Sequence, residues 1–523
     1  MINTNFRRIL FATASVAVLG GCGANDIASP GTGGNVIINN PTPTPSTPTP
    51  TPSSTLVTPA TGCPTIADPQ GLTDAGTITG PTGTYRVCSL PARINKSIQL
   101  TKIAGLLYRL NGRVDVGTDG GFTASAADTN VTLTIDPGVI IYGGTGVSWL
   151  AVNRGNKINA VGTATQPIIF TSRDNVLGLN TDSSSGQWGG VVLMGRGTVT
   201  DCNTGTIAAG TCERQTEGAV DPAVYGGNDN SYNAGRMSYV QIRYSGYVLS
   251  SNSELQSLTT EAVGTGTTLD HIQSFNSSDD GAEFFGGKVN MKYYISVGAE
   301  DDNLDTDTGV KANFQYVIVA QRSGIGDSII EADSDNAADG DIPRQNTRVS
   351  NFVFLQRSNN GPDLAAILLR GGTDYALANG IVVAPNYTCL NISRAQTAST
   401  TVNAAIDELG APVFRSVEMQ CSTKYLGSNS VTAAQVQAIF GTGANNNNDS
   451  YTPTLTSLFV NGASETAVTA FDASTFDAFF DKTTYIGAVK DATDTWYKSW
   501  TCNSSTADFG TGNSGLCTSL PTT

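Results

Sequence analysis

Three acidic clusters stand close together in the middle of the chain. Asp279, Asp280 and Glu283 form the first; Asp301, Asp302, Asp305 and Asp307 the second; Glu331, Asp333 and Asp335 the third. Ionised carboxylates are acceptors only and hard oxygen ligands, so several converging on one point suit Ca²⁺, which takes six to eight oxygens. A pair about 5 Å apart suits a retaining glycosidase, and a wider pair an inverting one. A uronate lyase would need a basic residue as proton acceptor, for which Lys288, Lys292 and Arg322 are the nearby choices. Aspartate ahead of Gly281 or Asn303 also serves a tight turn by bonding its own backbone, and each aspartate taken singly satisfies that reading. Recurrence on three successive coils strengthens the ligation reading beside the turn reading. Asp279 to Asp301 is 22 residues, Glu283 to Asp305 is 22, and Asp305 to Glu331 is 26. Like charges in register repel by about 1 kcal/mol at 4 Å in water and by more in a partly dry groove. Stacking them calls for a cation or for protonation. The expected calcium ligands are Asp279, Asp280, Glu283, Asp301, Asp302, Asp305, Asp307 and Glu331; no residue is assigned to catalysis.

The elements that must position these residues are short. β-type runs at 131–135 (VTLTI), 139–142 (VIIY), 167–170 (PIIF), 191–193 (VVL) and 316–319 (YVIV) are separated by glycine, asparagine, aspartate and serine, and helical periodicity is nearly absent. This predicts an all-β fold. The stretches 271–283, 293–305, 315–331 and 351–364 repeat one plan: a strand, a turn, a second short strand, another turn. A unit of 20 to 26 residues with two or three strands is one coil of a parallel β-helix, each coil stacking on the last at about 4.8 Å. A propeller repeat is nearer 40 residues, and a β-sandwich array is the other alternative. The β-helix is expected over 63–425, with 426–523 capping its open end. In that tail Thr432 to Gln435 reads as a capping box for a helix ending at Phe440-Gly441, and Ser474 to Asp477 as a similar start for a helix over 476–480.

The stretch 150–172 (LAVNRGNKINAVGTATQPIIFTS), followed by 186–191 (GQWGGV), resembles coils of the right-handed parallel β-helix, pectin-lyase-like surface proteins of bacteria. The stretch 479–500 is similar to the C-terminal part of β-helix lipoproteins. The resemblance covers about 130 to 500 and implies the right-handed parallel β-helix. The best-known enzymes of that fold, pectate lyases and polygalacturonases, act on polysaccharide. The histidine-bearing pattern of polygalacturonases is missing, because His271 is the only histidine and follows Asp270 inside a strand. His271 is expected to be structural. Trp188, Trp496, Tyr142, Tyr244 and Tyr247 could stack on sugars but equally fit packing. Neither a Gly-x-Ser-x-Gly elbow nor a Walker-type phosphate loop is present.

The N-terminal stretch reads as an export signal. Arg7 and Arg8 precede an uncharged run from Ile9 to Leu19, long enough for a signal core and too short for a mature membrane span. It ends in Leu19-Gly20-Gly21-Cys22, which resembles the lipobox of bacterial lipoproteins and implies lipidation of Cys22, palmitate included. Phe6 stands where a twin-arginine signal has Ser or Thr. Gly23, where inner-membrane lipoproteins commonly have Asp, points to the outer membrane, and the resemblance to surface β-helix proteins implies the cell surface. Prolines alternating with threonines at 41–52 make 23–62 an extended polyproline-type linker.

Net charge −15 and a pI near 4.5 argue against nucleic acid as a partner. Besides Cys22 there are eight cysteines, which in an exported chain predict disulfides. Eight allow about 105 connectivities. The simplest is sequential: Cys63–Cys88, Cys202–Cys212, Cys389–Cys421 and Cys502–Cys517. The functional expectation is a membrane-anchored module that binds a polysaccharide or another envelope protein, with Ca²⁺ as its cofactor and no other. The alternatives are a polysaccharide lyase or glycoside hydrolase, and a purely structural envelope protein.

Overall fold

The computed structural model describes residues 56–217, 221–250, 253–334, 340–358 and 364–522. Cys22, its signal and most of the linker lie outside them, as does Asp335. Within them the chain winds as a parallel β-helix with three sheets. Sheet A runs from Ile98–Leu100 through Thr132–Ile135 and Lys157–Val161 into the first halves of the later long strands. Sheet B runs from Gly83–Ser89 through Leu106–Leu110, Ile140–Gly143 and Ile168–Ser172 into their second halves. Sheet C begins at Arg93–Ile94, Arg113–Val116 and Trp149–Val152, and ends beyond Ile367–Leu369. The fold starts ahead of position 63: Val57 already pairs with Gly83. At this end Thr73–Gly80 folds back antiparallel on Gly83–Ser89, which covers an edge that would otherwise present unpaired backbone groups.

Alternation explains why these runs pack as sheets with one face inward. In sheet C, Leu258, Ala282, Leu304, Ile330 and Ile367 stack at one inward level and are all fully buried. Burying one Leu or Ile side chain is worth about 1.5–3 kcal/mol, and every coil repeats that gain. Sheets A and B are joined by a sharp corner with a left-handed backbone. Seven successive coils use Tyr239, His271, Tyr293, Tyr316, Asn351, Asn379 and Ser416 there, with φ between 50° and 63°. That region costs an ordinary L-residue roughly 1–2 kcal/mol, and asparagine tolerates it best after glycine.

The tail does more than cap. The helix Ala433–Phe440 has the expected box, with Thr432 and Gln435 bonding each other's backbone N–H, and buries Val436 and Phe440 against the last coil. From Tyr451 onward the chain instead runs back along the outer face of sheet B as a strap. Ile295, Val297, Ile318 and Val353 on that face pack against Phe459, Ile486, Tyr497 and Trp500. Leu520 reaches Tyr85, Leu107 and Tyr142 in the first coils. Side-chain amides tie the strap down: Gln273 donates to Cys502 O at 3.1 Å, Asn351 to Tyr485 O at 3.0 Å, and Asn379 to Phe471 O at 2.9 Å. No helix forms over 476–480. A 3₁₀ turn spans Ala473–Thr475 instead, because Asp472 rather than Ser474 accepts the free N–H.

Disulfides join Cys63 to Cys88, Cys202 to Cys212, Cys389 to Cys421 and Cys502 to Cys517, with Cα–Cα distances of 4.9–5.7 Å. The second lies in an insertion between Val191–Met194 and Gly235–Arg243, which covers the outer face of sheet C over Trp149, Val192, Met194 and Phe285.

Candidate functional site

Beyond that insertion the outer face of sheet C changes from apolar to acidic. Its outward positions in register are Thr259, Glu283, Asp305 and Glu331 at one level, then Glu261, Phe285 and Asp307 at the next. Glu283, Asp305 and Glu331 thus stack one per coil, as the 22- and 26-residue spacings require. The turn before each strand supplies the remaining acids. Asp302 donates its backbone N–H to Asp280 Oδ1 at 2.9 Å, and Ser328 donates to Asp302 Oδ1 at 2.6 Å. One aspartate per coil therefore holds the next coil's turn, so the turn role and the site role coexist in the same residues.

Together these residues line a cavity of about 560 Å³ that, among the described residues, bears eleven carboxylates and one guanidinium, that of Arg370. All eight expected ligands lie in it. Asp279, Asp280 and Asp301 offer oxygens within 4.8 Å of one another, and so do Asp280, Glu283 and Asp305. Asp280 is common to both sets, which makes them two ends of one site. Asp280, Glu283 and Asp302 are nearly inaccessible, at 5, 5 and 3% exposed. Burial, and after it the neighbouring charges, push all three well above the usual carboxylate range. The largest neighbouring contribution comes from Asp279 for Asp280, Asp305 for Glu283 and Glu331 for Asp302. Asp305 is raised likewise, by burial and then by Glu331. Asp307 is pushed up to about 7 and Asp333 to about 6, burial leading in both. Two like charges 4 Å apart repel by about 4 kcal/mol at an effective dielectric of about 20. The carboxylates cannot all ionise unless a cation joins them. The donor set, all oxygen and roomy, fits Ca²⁺ better than a thiolate- or imidazole-preferring metal.

Of the basic residues considered from the sequence, Lys292 is drawn away to Asp481 at 2.8 Å. Lys288 is exposed in the strand Lys288–Val297, at the sheet A end of that coil. Arg322 reaches only the rim, where it pairs with Glu300 at 2.6 Å. Arg370 is the basic group inside. It bonds Glu331 and lies 2.8 Å from Asp333. Burial alone would lower its pKa, but Glu331 and Asp333 outweigh that and raise it. Arg370 was not legible as a site residue because its coil is longer: Leu368, beyond the 351–364 repeat, falls opposite Glu331, and 359–363 lie outside the described residues. Glu217 enters from the insertion, which no repeat could reveal. Of the aromatics, Trp188, Tyr142 and Tyr244 are buried packing residues, whereas Trp496 is half-buried on the strap.

Residues 108–501 match the family model described as a pectate-lyase-like β-helix domain. The match spans well over half of the chain, and the chain belongs to that family. No curated protein and no solved structure matches it.

Proposed function

We propose that this chain is a lipid-anchored protein of the bacterial outer membrane whose acidic groove binds divalent cations, Ca²⁺ first among them. Through them it holds an anionic glycan or a partner surface without cleaving it. The observation that carries this reading is the pair of carboxylate triads sharing Asp280, each with its oxygens within 4.8 Å. Arg370 supports binding over β-elimination: its pairing with Glu331 and Asp333 favours the charged guanidinium over a proton acceptor. Calorimetry on chelator-treated protein tests the reading. Saturable Ca²⁺ binding is expected, with stabilisation of about 3 kcal/mol at a hundredfold excess over Kd. Absence of heat and of any thermal shift at millimolar Ca²⁺ would sink it.

One observation favours a second reading. Glu283 and Asp305 sit opposite each other on adjacent strands with raised pKa values and with carboxylate oxygens within 4.8 Å, near the roughly 5–5.5 Å of a retaining glycosidase pair. Release of reducing sugar from a glycan panel, lost in Glu283→Gln, would establish hydrolysis and replace the binding reading.

The anchor rests on Cys22 and the lipobox preceding it. Cys22→Ser is expected to abolish incorporation of labelled palmitate and to move the protein into the soluble fraction; an unchanged membrane fraction would refute the anchor.

A further inference from the structure

A second cavity, of about 480 Å³, opens where the corner between sheets A and B meets the strap. Its floor is aromatic. Tyr239, His271 and Tyr293 occupy the same left-handed corner in three successive coils, and their rings stack at 4.2 and 4.3 Å between centroids. Trp496 of the strap lies beside the stack, 5.1 Å from the Tyr293 ring and tilted by 49°. Lys498 and Ser499 bring polar groups to the rim.

Two features set this cavity apart from ordinary packing. The first is residue type. Later coils place asparagine at the same corner, and Asn351 and Asn379 spend their amides on the strap backbone. Tyrosine suits that backbone region poorly, and residues held in sparsely populated conformations gather at functional sites. The second is what the rings leave unused. Tyr239, His271, Tyr293 and Trp496 are only half-buried. Among the described residues, no hydrogen bond engages the phenol oxygens of Tyr239 and Tyr293 or Nε2 of His271, while its Nδ1 sits 2.7 Å from Asp270. The next ring in the stack, Tyr316, gives its hydroxyl to Asp481 at 3.1 Å. A seat for Trp500, which meets Tyr239 and His271 edge-on, accounts for one side of the stack and not for the open one.

We propose that this cavity is a saccharide-binding site, distinct from the acidic groove and independent of cations. It takes one or two sugar units, with apolar sugar faces against the aromatic floor and hydroxyls on Tyr239, Tyr293 and His271. Lys498 adds a contact for a uronate carboxylate. The volume falls in the range of about 300–1,000 Å³ usual for small-ligand sites.

The test uses the full chain with chelator present, titrated with neutral, amino-sugar and uronate oligosaccharides by tryptophan fluorescence and calorimetry. Binding by at least one class is expected. The double variant Tyr239→Phe and Tyr293→Phe keeps the rings stacked and should lose about tenfold in affinity, the equivalent of one or two hydrogen bonds, without a change in Tm. Lys498→Ala leaves the stack untouched and should also weaken binding of the uronate. Asp305→Asn, in the groove, should bind as the wild type does. No binding by any class at millimolar ligand, or wild-type affinity in the Tyr239/Tyr293 double variant, overturns the proposal. Failure of cation binding in the groove leaves these outcomes unaffected.

Discussion

Glu261 stands fully buried beside the groove, with Thr216 donating to one carboxylate oxygen at 2.9 Å and the other left without a partner. Burial pushes its pKa from 4.5 to about 8. A carboxyl that holds its proton more tightly when folded stabilises the fold below its unfolded pKa. That contribution is lost as pH climbs from 4.5 through about 8. Glu261→Gln keeps the acceptor and removes the charge. Its Tm should match the wild type at pH 5 and exceed it at pH 9; equal values at both would refute the shift. The groove acids follow the same sign. Chelated protein should lose stability between pH 4 and 8, the window in which Asp333 near 6 and Asp307 near 7 ionise, and Ca²⁺ should flatten that slope. At this scale the sequence was informative where acids repeated at coil spacing. It was silent on Arg370, whose coil departs from the spacing. It was also silent on the ring stack, because tyrosine and histidine in β-type runs read as strand residues, and only the backbone reveals the shared left-handed corner.

At the scale of elements, the coil and the strap answer to different forces. The coil is governed by small clearances: a Cβ on Gly380 would come within 1.8 Å of the Phe352 ring in the neighbouring coil. Gly380→Ala is therefore expected to cost about 1–3 kcal/mol by overpacking, measured by urea unfolding; a neutral result would mean that the Phe352 ring can move aside. The strap has little regular structure, and Cys502–Cys517 closes a loop with a sequence separation of 15. Replacing both cysteines by serine should cost about 3 kcal/mol on loop entropy and make the segment after Trp500 the first site of limited proteolysis. Unchanged cleavage would argue that Gln273 and the apolar contacts suffice. The capping box at Thr432 was legible because it is a local signature. The strap was not, because its contacts are long-range and its apolar residues follow neither a period of 3.6 nor of 2. The start at Ser474 failed for a local reason, competition from Asp472 two residues earlier.

For the whole molecule, one inner core runs through successive coils, and two added layers, the insertion on sheet C and the strap on sheet B, cover its outer faces. The acidic groove is the part of sheet C that the insertion leaves uncovered. Deleting residues 451–522 should expose the row headed by Ile295 and Ile318 and give a protein that binds a hydrophobic dye and aggregates. A monomeric, dye-negative truncation would show that the coils need no cover.

The strap also sets a clock. Asn175 in an early coil bonds the carbonyl of Cys517, 342 residues later in the chain. At a synthesis rate of about 5–20 residues per second, roughly 20 to 70 s separate the making of those two partners. Throughout that interval any coil that folds as it is made presents a bare apolar flank with its β-edge still growing. Such a chain is safest when it is kept unfolded until its last segment is available. The side chains that hold the finished fold closed therefore also impose a schedule on the cell: delay folding, then wind the coils and lay the strap in one episode.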